Sequence, residues 1–361
     1  MEKIAVGVIG ATGIVGQNYV RLLENHPWFD VRYVAASPRS SGKTYEKATK
    51  DRWYMNSDIP SSLRELVVEK ATEPEKAKGK CRFIFSALKM DKEDIINLEN
   101  SYAELDIPVV SNNSAHRSTV DVPILIPEIN YGHIDVIKAQ QKNRGWNRGF
   151  IVVKPNCSVQ SYLIPVHAII DAGYEVRKIM ITTLQSVSGA GYPGVSSMDI
   201  IDNIYPLPGE ETKSEKEPLK IFGKVNGCKI ISDSSIRISA HCNRVPVIDG
   251  HTACVSIEFA KGKPDTSDII DLWSNFKSVP QKLDLPSAPL HPIIYKSEND
   301  RPQPFKDRDT GNGMSIITGR LRQCNVFDIK FTGLAHNIIR GAAVGGILNA
   351  ELLAAKGFFN V

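Results

Sequence analysis

Ile4-Ala5-Val6-Gly7-Val8-Ile9-Gly10-Ala11-Thr12-Gly13-Ile14-Val15-Gly16 is an apolar run stopped by a glycine-rich turn. The run predicts a buried strand, the amphipathic stretch Val15 to Glu24 a helix, and Val31 to Ala36 a second strand. A βαβ unit of this kind calls for a parallel sheet. Glycines in its first turn let the backbone approach a pyrophosphate, while the following helix offers unpaired N–H donors. The spacing is GxxGxxG, not the usual dinucleotide fingerprint, so the weight rests on the strand–turn–helix context.

The end of the second strand narrows the ligand. A site for NAD wants a carboxylate about 20 residues after the glycines, but this strand ends Ala35-Ala36-Ser37-Pro38-Arg39-Ser40-Ser41-Gly42-Lys43. No acid stands there to repel a phosphate, and an arginine fork with serine hydroxyls suits a 2′-phosphate. NADP is therefore the expected cofactor. Gly10, Thr12, Gly13, Ile14, Val15, Ser37, Arg39 and Ser40 are its candidate ligands, with Ser86 at the end of a later strand. A solvated polar loop is the competing reading of residues 37–43.

Outward from this unit, further strands are expected at Arg82 to Ser86, Pro108 to Ser111 and Phe150 to Val153, and helices at Lys92 to Tyr102 and Tyr131 to Gln141. After residue 156 the pattern changes. A helix is expected at Val159 to Asp171, then long strands at Lys178 to Ser188, Ile230 to Ala240, Val245 to Phe259 and Val326 to Thr332, which fit a mostly antiparallel sheet. Gly209 to Lys216 reads as an exposed loop before a short helix at Glu217 to Lys224. The fold class is α/β: a Rossmann-like dinucleotide-binding domain over 1–156, completed by a C-terminal helix 336–361, and an α+β catalytic and dimerisation domain over 157–335.

Cys157, in Lys154-Pro155-Asn156-Cys157-Ser158, falls between a strand and the start of a helix. Oriented N–H groups at a helix start stabilise a thiolate and can hold the oxyanion of a tetrahedral adduct. A thiol nucleophile beside a nicotinamide site implies an acyl group carried as a thioester and exchanged with an aldehyde by hydride transfer. Its acid/base candidate is His251, after a turn and at a strand start, where a histidine can titrate near neutrality. Cys81, Cys228 and Cys324 read as buried, inert thiols. His241, Cys242, His251 and Cys254 cannot converge on a metal from an extended strand without a bend, so no metal site is expected.

Composition bounds the rest. The 361 residues carry 44 basic and 40 acidic side chains, a net charge of +4, and 42% hydrophobic residues. Interspersed charge gives no groove for nucleic acid. The apolar run after Met1-Glu2-Lys3 is too short for a signal peptide, and Gly341 to Leu353 is interrupted by Asn349 and Glu351, so no membrane segment is expected. Six scattered cysteines without a CxxC pair suit a reducing, cytoplasmic setting.

Together with Val110-Ser111-Asn112, Thr183-Leu184-Gln185-Ser186-Val187-Ser188-Gly189, Asn243-Arg244-Val245-Pro246-Val247, Gly250-His251-Thr252 and Asn337-Ile338-Ile339-Arg340-Gly341-Ala342-Ala343, these motifs resemble aspartate-β-semialdehyde dehydrogenase, archaeal and fungal branch, over nearly the whole chain. The resemblance implies NADPH-dependent reduction of L-aspartyl-4-phosphate to the semialdehyde and phosphate, a step towards lysine, threonine, methionine and isoleucine. It implies Cys157 as nucleophile, His251 as proton acceptor and donor, and Gln185 as the substrate-orienting amide. Arg244 would clamp the α-carboxylate, Arg117 the phosphate, and Glu217 and Lys220, on one helix face, the ammonium and phosphate. Ser188, Gly189 and Asn337 would meet the cofactor, and Asn156 the substrate. The implied partner is a small phosphorylated amino acid, and the implied assembly a homodimer or homotetramer.

A CoA-acylating malonyl-CoA or succinyl-CoA reductase shares the architecture, and Asn156 with Asn243-Arg244-Val245-Pro246 favours the amino-acid enzyme over it. Asn156 also separates the chain from N-acetyl-γ-glutamyl-phosphate reductase, which has glycine there. A noncatalytic NADP-binding protein is the reading from another class. Lys142 to Arg148, with its tryptophan, has no assigned role.

Overall fold

A computed structural model describes residues 2–359; Met1 and residues 360–361 at the end of the expected closing segment lie outside the described residues. The opening run forms β1 (Ile4–Ile9), followed by the helix Ile14–Leu23 and β2 (Phe29–Ala36). β3 (Val68–Lys70), β4 (Phe83–Ser86), β5 (Val109–Ser111) and β6 (Ile151–Val153) complete a six-stranded sheet, in order β3-β2-β1-β4-β5-β6. Every pair in it is parallel. β3 escaped the sequence reading because three residues at a sheet edge carry no periodicity.

The turn after β1 is shaped by contact. Gly10 has φ +76°, and a Cβ there would fall 2.4 Å from the Ala87 carbonyl oxygen; one at Gly16 would fall 2.2 Å from the Gly10 carbonyl oxygen. The helix thus packs directly on the turn, which a side chain would prevent.

β7 (Glu175–Gln185), β8 (Tyr205–Pro206), β11 (Arg237–Arg244), β12 (His251–Lys261), β13 (Ile293–Lys296), β14 (Ile316–Gln323) and β15 (Ile329–Ala335) form the second sheet, ordered β13-β14-β15-β12-β7-β11-β8. It is mostly antiparallel, with parallel pairs at β7/β11 and β13/β14. β9 (Lys224–Asn226) and β10 (Lys229–Ile231) make a separate hairpin. The expected strand Ile230 to Ala240 is therefore two strands split by the turn at 232–236. The strand expected from Val245 begins only at His251, because Pro246 and the loop to Gly250 stand outside the ladder. Cys228 is exposed in the hairpin turn, not buried as expected.

The helices bring further corrections. Residues 158–171 are a 3₁₀ turn, Ser158–Ser161, followed by the helix Leu163–Asp171. Residues 131–144 likewise begin with a 3₁₀ segment, Tyr131–Val136, before the helix Ile137–Arg144. The expected loop at 209–216 is already helix: Glu210–Ile221 starts directly after Gly209, which is left-handed at φ 82°, and Glu210 and Glu211 sit favourably in the first turn. On the tail, a π turn, Ile339–Ala343, leads into the helix Val344–Ala355. Ile347, Leu348 and Leu352 pack there with Val6, Val8, Tyr19, Phe83 and Phe85, so the chain's end completes the core of its beginning. Among the described residues no helix is long and apolar enough to cross a membrane.

Candidate active site

The C-terminal ends of the parallel strands open onto a cleft that runs between the two sheets. One stretch, about 230 Å³, is lined by Gly10, Thr12, Gly13, Ser37 and Pro38. The next, about 330 Å³, is lined by Gly13, Ile14, Val15, Asn112, Asn113, Arg117, Lys154, Asn156, Cys157, Ser188, Gly189, Tyr192 and Asn337. Gly13, Ala87, Leu88 and Lys89 border both, so a trough leads from the end of β2 to the cysteine.

At the far end of the trough, Ser40 departs from expectation: it is fully buried and lines neither stretch, its hydroxyl 3.5 Å from the Thr12 hydroxyl and accepting a 3.0 Å hydrogen bond from Arg52 Nη2. Arg39 is exposed beside them. Thr12, Ser37, Arg39 and Arg52 fit a dinucleotide with a 2′-phosphate: a cationic end with two hydroxyls leads to the glycine turn. Arg52 was missed because it comes from a turn after a short helix with no motif of its own. Ser86 is a correction. It is fully buried behind the trough, where its hydroxyl accepts from Asn113 Nδ2 at 3.0 Å, and so holds Asn113 without lining the cleft.

At the other end, Cys157 ends the segment that leaves β6 and caps the 3₁₀ turn Ser158–Ser161. Its Sγ is 3.2 Å from His251 Nε2, at the first residue of β12. His251 Nδ1 accepts the Ser186 backbone N–H at 3.0 Å and lies 3.1 Å from the Ser186 hydroxyl. A backbone donor on Nδ1 places the proton of the neutral ring on Nε2, facing the sulfur. Burial, reinforced by Arg244, pushes the His251 imidazole down to about 3, so it is neutral at physiological pH and does not titrate near neutrality as expected. Burial likewise raises the Cys157 thiol, opposed most by the Lys154 charge. A four-residue 3₁₀ turn does not overcome that desolvation. Gly341, in the π turn, closes the other side: a Cβ there would fall 2.8 Å from Cys157 Cβ.

The remaining candidates gather around this pair. Arg244 donates to the Ser186 carbonyl at 2.6 Å, and its Nε is buried without a partner. Asn337 donates to the Ser188 hydroxyl at 2.8 Å and accepts the Gly250 N–H at 2.8 Å, tying the tail to the loop before His251. Gln185 Nε2 and Asn156 Nδ2 both reach Glu210 Oε2, at 3.4 and 3.0 Å. Glu210 was missed because its segment read as a loop. Glu217 accepts from Arg117 Nη1 at 2.9 Å and from the Asn156 N–H at 2.6 Å, so both its oxygens are engaged.

Lys220 departs from expectation. Its ammonium donates to the carbonyls of Arg117, Thr119 and Val122 at 2.9, 2.7 and 2.7 Å, spending all three protons away from the cleft. Sharing a helix face with Glu217 did not bring it to the same place, because the 117–122 loop turns its carbonyls inward. His241 is exposed and Cys242 buried, on opposite sides of β11.

Two sequence profiles match the chain: the semialdehyde dehydrogenase NAD-binding domain over residues 5–137 and the semialdehyde dehydrogenase dimerisation domain over 166–340. The chain is 42% identical to aspartate-semialdehyde dehydrogenase of Schizosaccharomyces pombe, across 98% of each protein. It superposes on the crystal structure of aspartate-semialdehyde dehydrogenase with NADP from Candida albicans with TM-score 0.89 and 38% identity, covering 99% of this chain and 100% of that one. It is also 39% identical to the NADP-linked malonyl-CoA reductase of Metallosphaera sedula, across 99% of each.

Proposed function

The chain belongs to the aspartate-semialdehyde dehydrogenase family, and from that premise we propose that it converts L-aspartyl-4-phosphate to L-aspartate-4-semialdehyde and phosphate with NADPH. The observation that carries the reading is the 3.2 Å contact of Cys157 Sγ with His251 Nε2 at the inner end of a trough suited to a 2′-phosphorylated dinucleotide.

Cys157 first releases its Sγ proton to solvent water in the cleft and as thiolate attacks the acyl carbon; the C–O bond to phosphate breaks and phosphate leaves with the electron pair, giving a thioester. The Nε2–H of His251 stabilises the thiolate beforehand and donates to the oxyanion of each tetrahedral adduct. Collapse of the second adduct expels the thiolate and frees the aldehyde. Thr12, Ser37, Arg39, Arg52, Gly13, Ser188 and Asn337 would hold NADPH, which supplies the hydride for that reduction when bound. Arg244 is set for the α-carboxylate; Glu217 is committed to Arg117 and the Asn156 N–H, which leaves Glu210, bonded to Asn156, Gln185 and Lys213, as the acid for an ammonium. Arg117 faces the phosphate side of the cleft.

Asn156 with Asn243-Arg244-Val245-Pro246, and Glu210 beside Asn156, support an amino-acid substrate over malonyl-CoA, which has no ammonium. Supplying aspartate semialdehyde with phosphate, and separately malonate semialdehyde with CoA, and following NADP reduction tests the choice. Turnover with phosphate is expected; turnover only with CoA would overturn it. The dimerisation domain supports a homo-oligomer. The second sheet, with Met180 and Cys254 exposed, supports a second copy seated on that face. Six free cysteines among the described residues support a reducing, cytoplasmic setting.

A further inference from the structure

Lys154 is three residues before the nucleophile and lines the same cavity as Cys157, Arg117, Asn112 and Asn113. Only 3% of it is exposed, and its ammonium makes one hydrogen bond, 2.8 Å to the Pro155 carbonyl. Two of its three protons therefore have no acceptor. Among the described residues no carboxylate lies in salt-bridge range of it, because Glu217, the acid whose charge it feels, is taken by Arg117. A buried cation without a partner is costly, and a protein interior normally removes it or pairs it. Here Arg117 adds repulsion while donating from Nε to the Lys154 carbonyl at 3.0 Å. Burial and Arg117 together push the Lys154 ammonium down to about 7. Both cations border the cleft beside Cys157, and the lysine expected to serve there, Lys220, is spent on carbonyls.

We propose that Lys154 is a catalytic residue of the phosphate subsite, binding with Arg117 the phosphoryl oxygens that depart from the acyl carbon. This rests on the proposed reaction and adds a second cation to it beside Arg117. As Cys157 Sγ forms its bond to the acyl carbon and the C–O bond breaks, negative charge builds on the leaving phosphate. An ammonium within the same cavity balances that charge, and phosphate in turn gives the ammonium its missing acceptors. The groups facing Lys154 are Arg117, Cys157, Glu217 and His251, of which only the two acids can offset it.

The test reads binding, not turnover. Cys157 of the NADP-loaded enzyme is alkylated with iodoacetamide at rising inorganic phosphate, in wild type, Lys154→Met and Lys154→Arg. Phosphate is expected to protect wild type, with the half-protecting concentration raised at least about tenfold in Lys154→Met and within about threefold in Lys154→Arg. Unchanged thermal midpoint and NADP affinity in Lys154→Met separate this from a fold defect. Should that variant fail to fold, sulfate, whose charge is constant over roughly pH 6–9, probes wild type alone. Its affinity must fall as pH rises through the lysine's range near 7, since the protonated ammonium is the binding form. No protection of wild type, equal protection in both, or a flat sulfate profile overturns the assignment. The reaction itself fails on a separate result, wild-type dependence on CoA in place of phosphate.

Discussion

The two ends of the cleft are built from opposite materials. The outer trough is mostly backbone and hydroxyls: a glycine turn, a helix start, Thr12 and Ser37, with its arginines at the rim. The inner pocket is side chains: Cys157, His251, Arg117, Glu217, Arg244 and Lys154, all but Cys157 nine-tenths or more buried. A trough of backbone donors holds an anion without fixing its chemistry, so it can be short and local. A pocket of buried charges must have each charge answered by the fold or by the substrate, so its members come from strands and loops across the chain. The difference teaches that binding and reaction can fail separately here.

Replacing the sulfur should give the largest effect. Cys157→Ala is expected to lower turnover by about a thousandfold or more, with NADPH affinity by fluorescence titration within about twofold of wild type. A parallel loss of affinity would show that the two ends are not separable.

His251 comes next. His251→Ala should lower kcat by about a hundredfold or more, and His251→Gln, which retains a donor near the Nε2 position, by clearly less. Equal losses would remove the donor role and return His251 to simple proton acceptance.

At the outer end, Arg52→Met should raise KM for NADPH about five- to tenfold, with kcat and KM for NADH nearly unchanged, because only the 2′-phosphate distinguishes the two. An equal rise for NADH would place Arg52 in general support of the trough.

The smallest effect is on stability. His251 and His116 are pushed down by burial to about 3 and about 4, from an ordinary value of 6.5. The unfolded chain therefore takes up these protons first as pH falls. Their contribution is complete above about pH 6.5 and is lost progressively down to the folded values. Thermal midpoints should decline over that window, and His116→Asn should flatten the slope; an unchanged slope would show that other groups control it.

Much of this was legible where structure is local. The glycine turn, the missing carboxylate after β2 and the cysteine between strand and helix are each written in a dozen contiguous residues, and each takes its expected place. The start of the helix Glu210–Ile221 was not legible, since Gly209-Glu210-Glu211 carries both loop and helix-start signals. Lys220 and Ser86 lie where expected along the chain, yet their side chains are spent on carbonyls and on Asn113. That outcome depends on which loop packs against them, which no local pattern encodes. The tautomer of His251 depends on one backbone N–H, at Ser186, 65 residues away.

The helix Val344–Ala355 has a consequence for synthesis. A ribosome makes β1 to β6 long before it makes residues 344–355, and until then Val6, Phe83 and Phe85 lack the apolar cover those residues supply. The nucleotide-binding half therefore cannot finish folding as it emerges. The nascent chain must carry an open hydrophobic face through most of its own translation, and a ribosome stalled before residue 344 would release a product ready to aggregate.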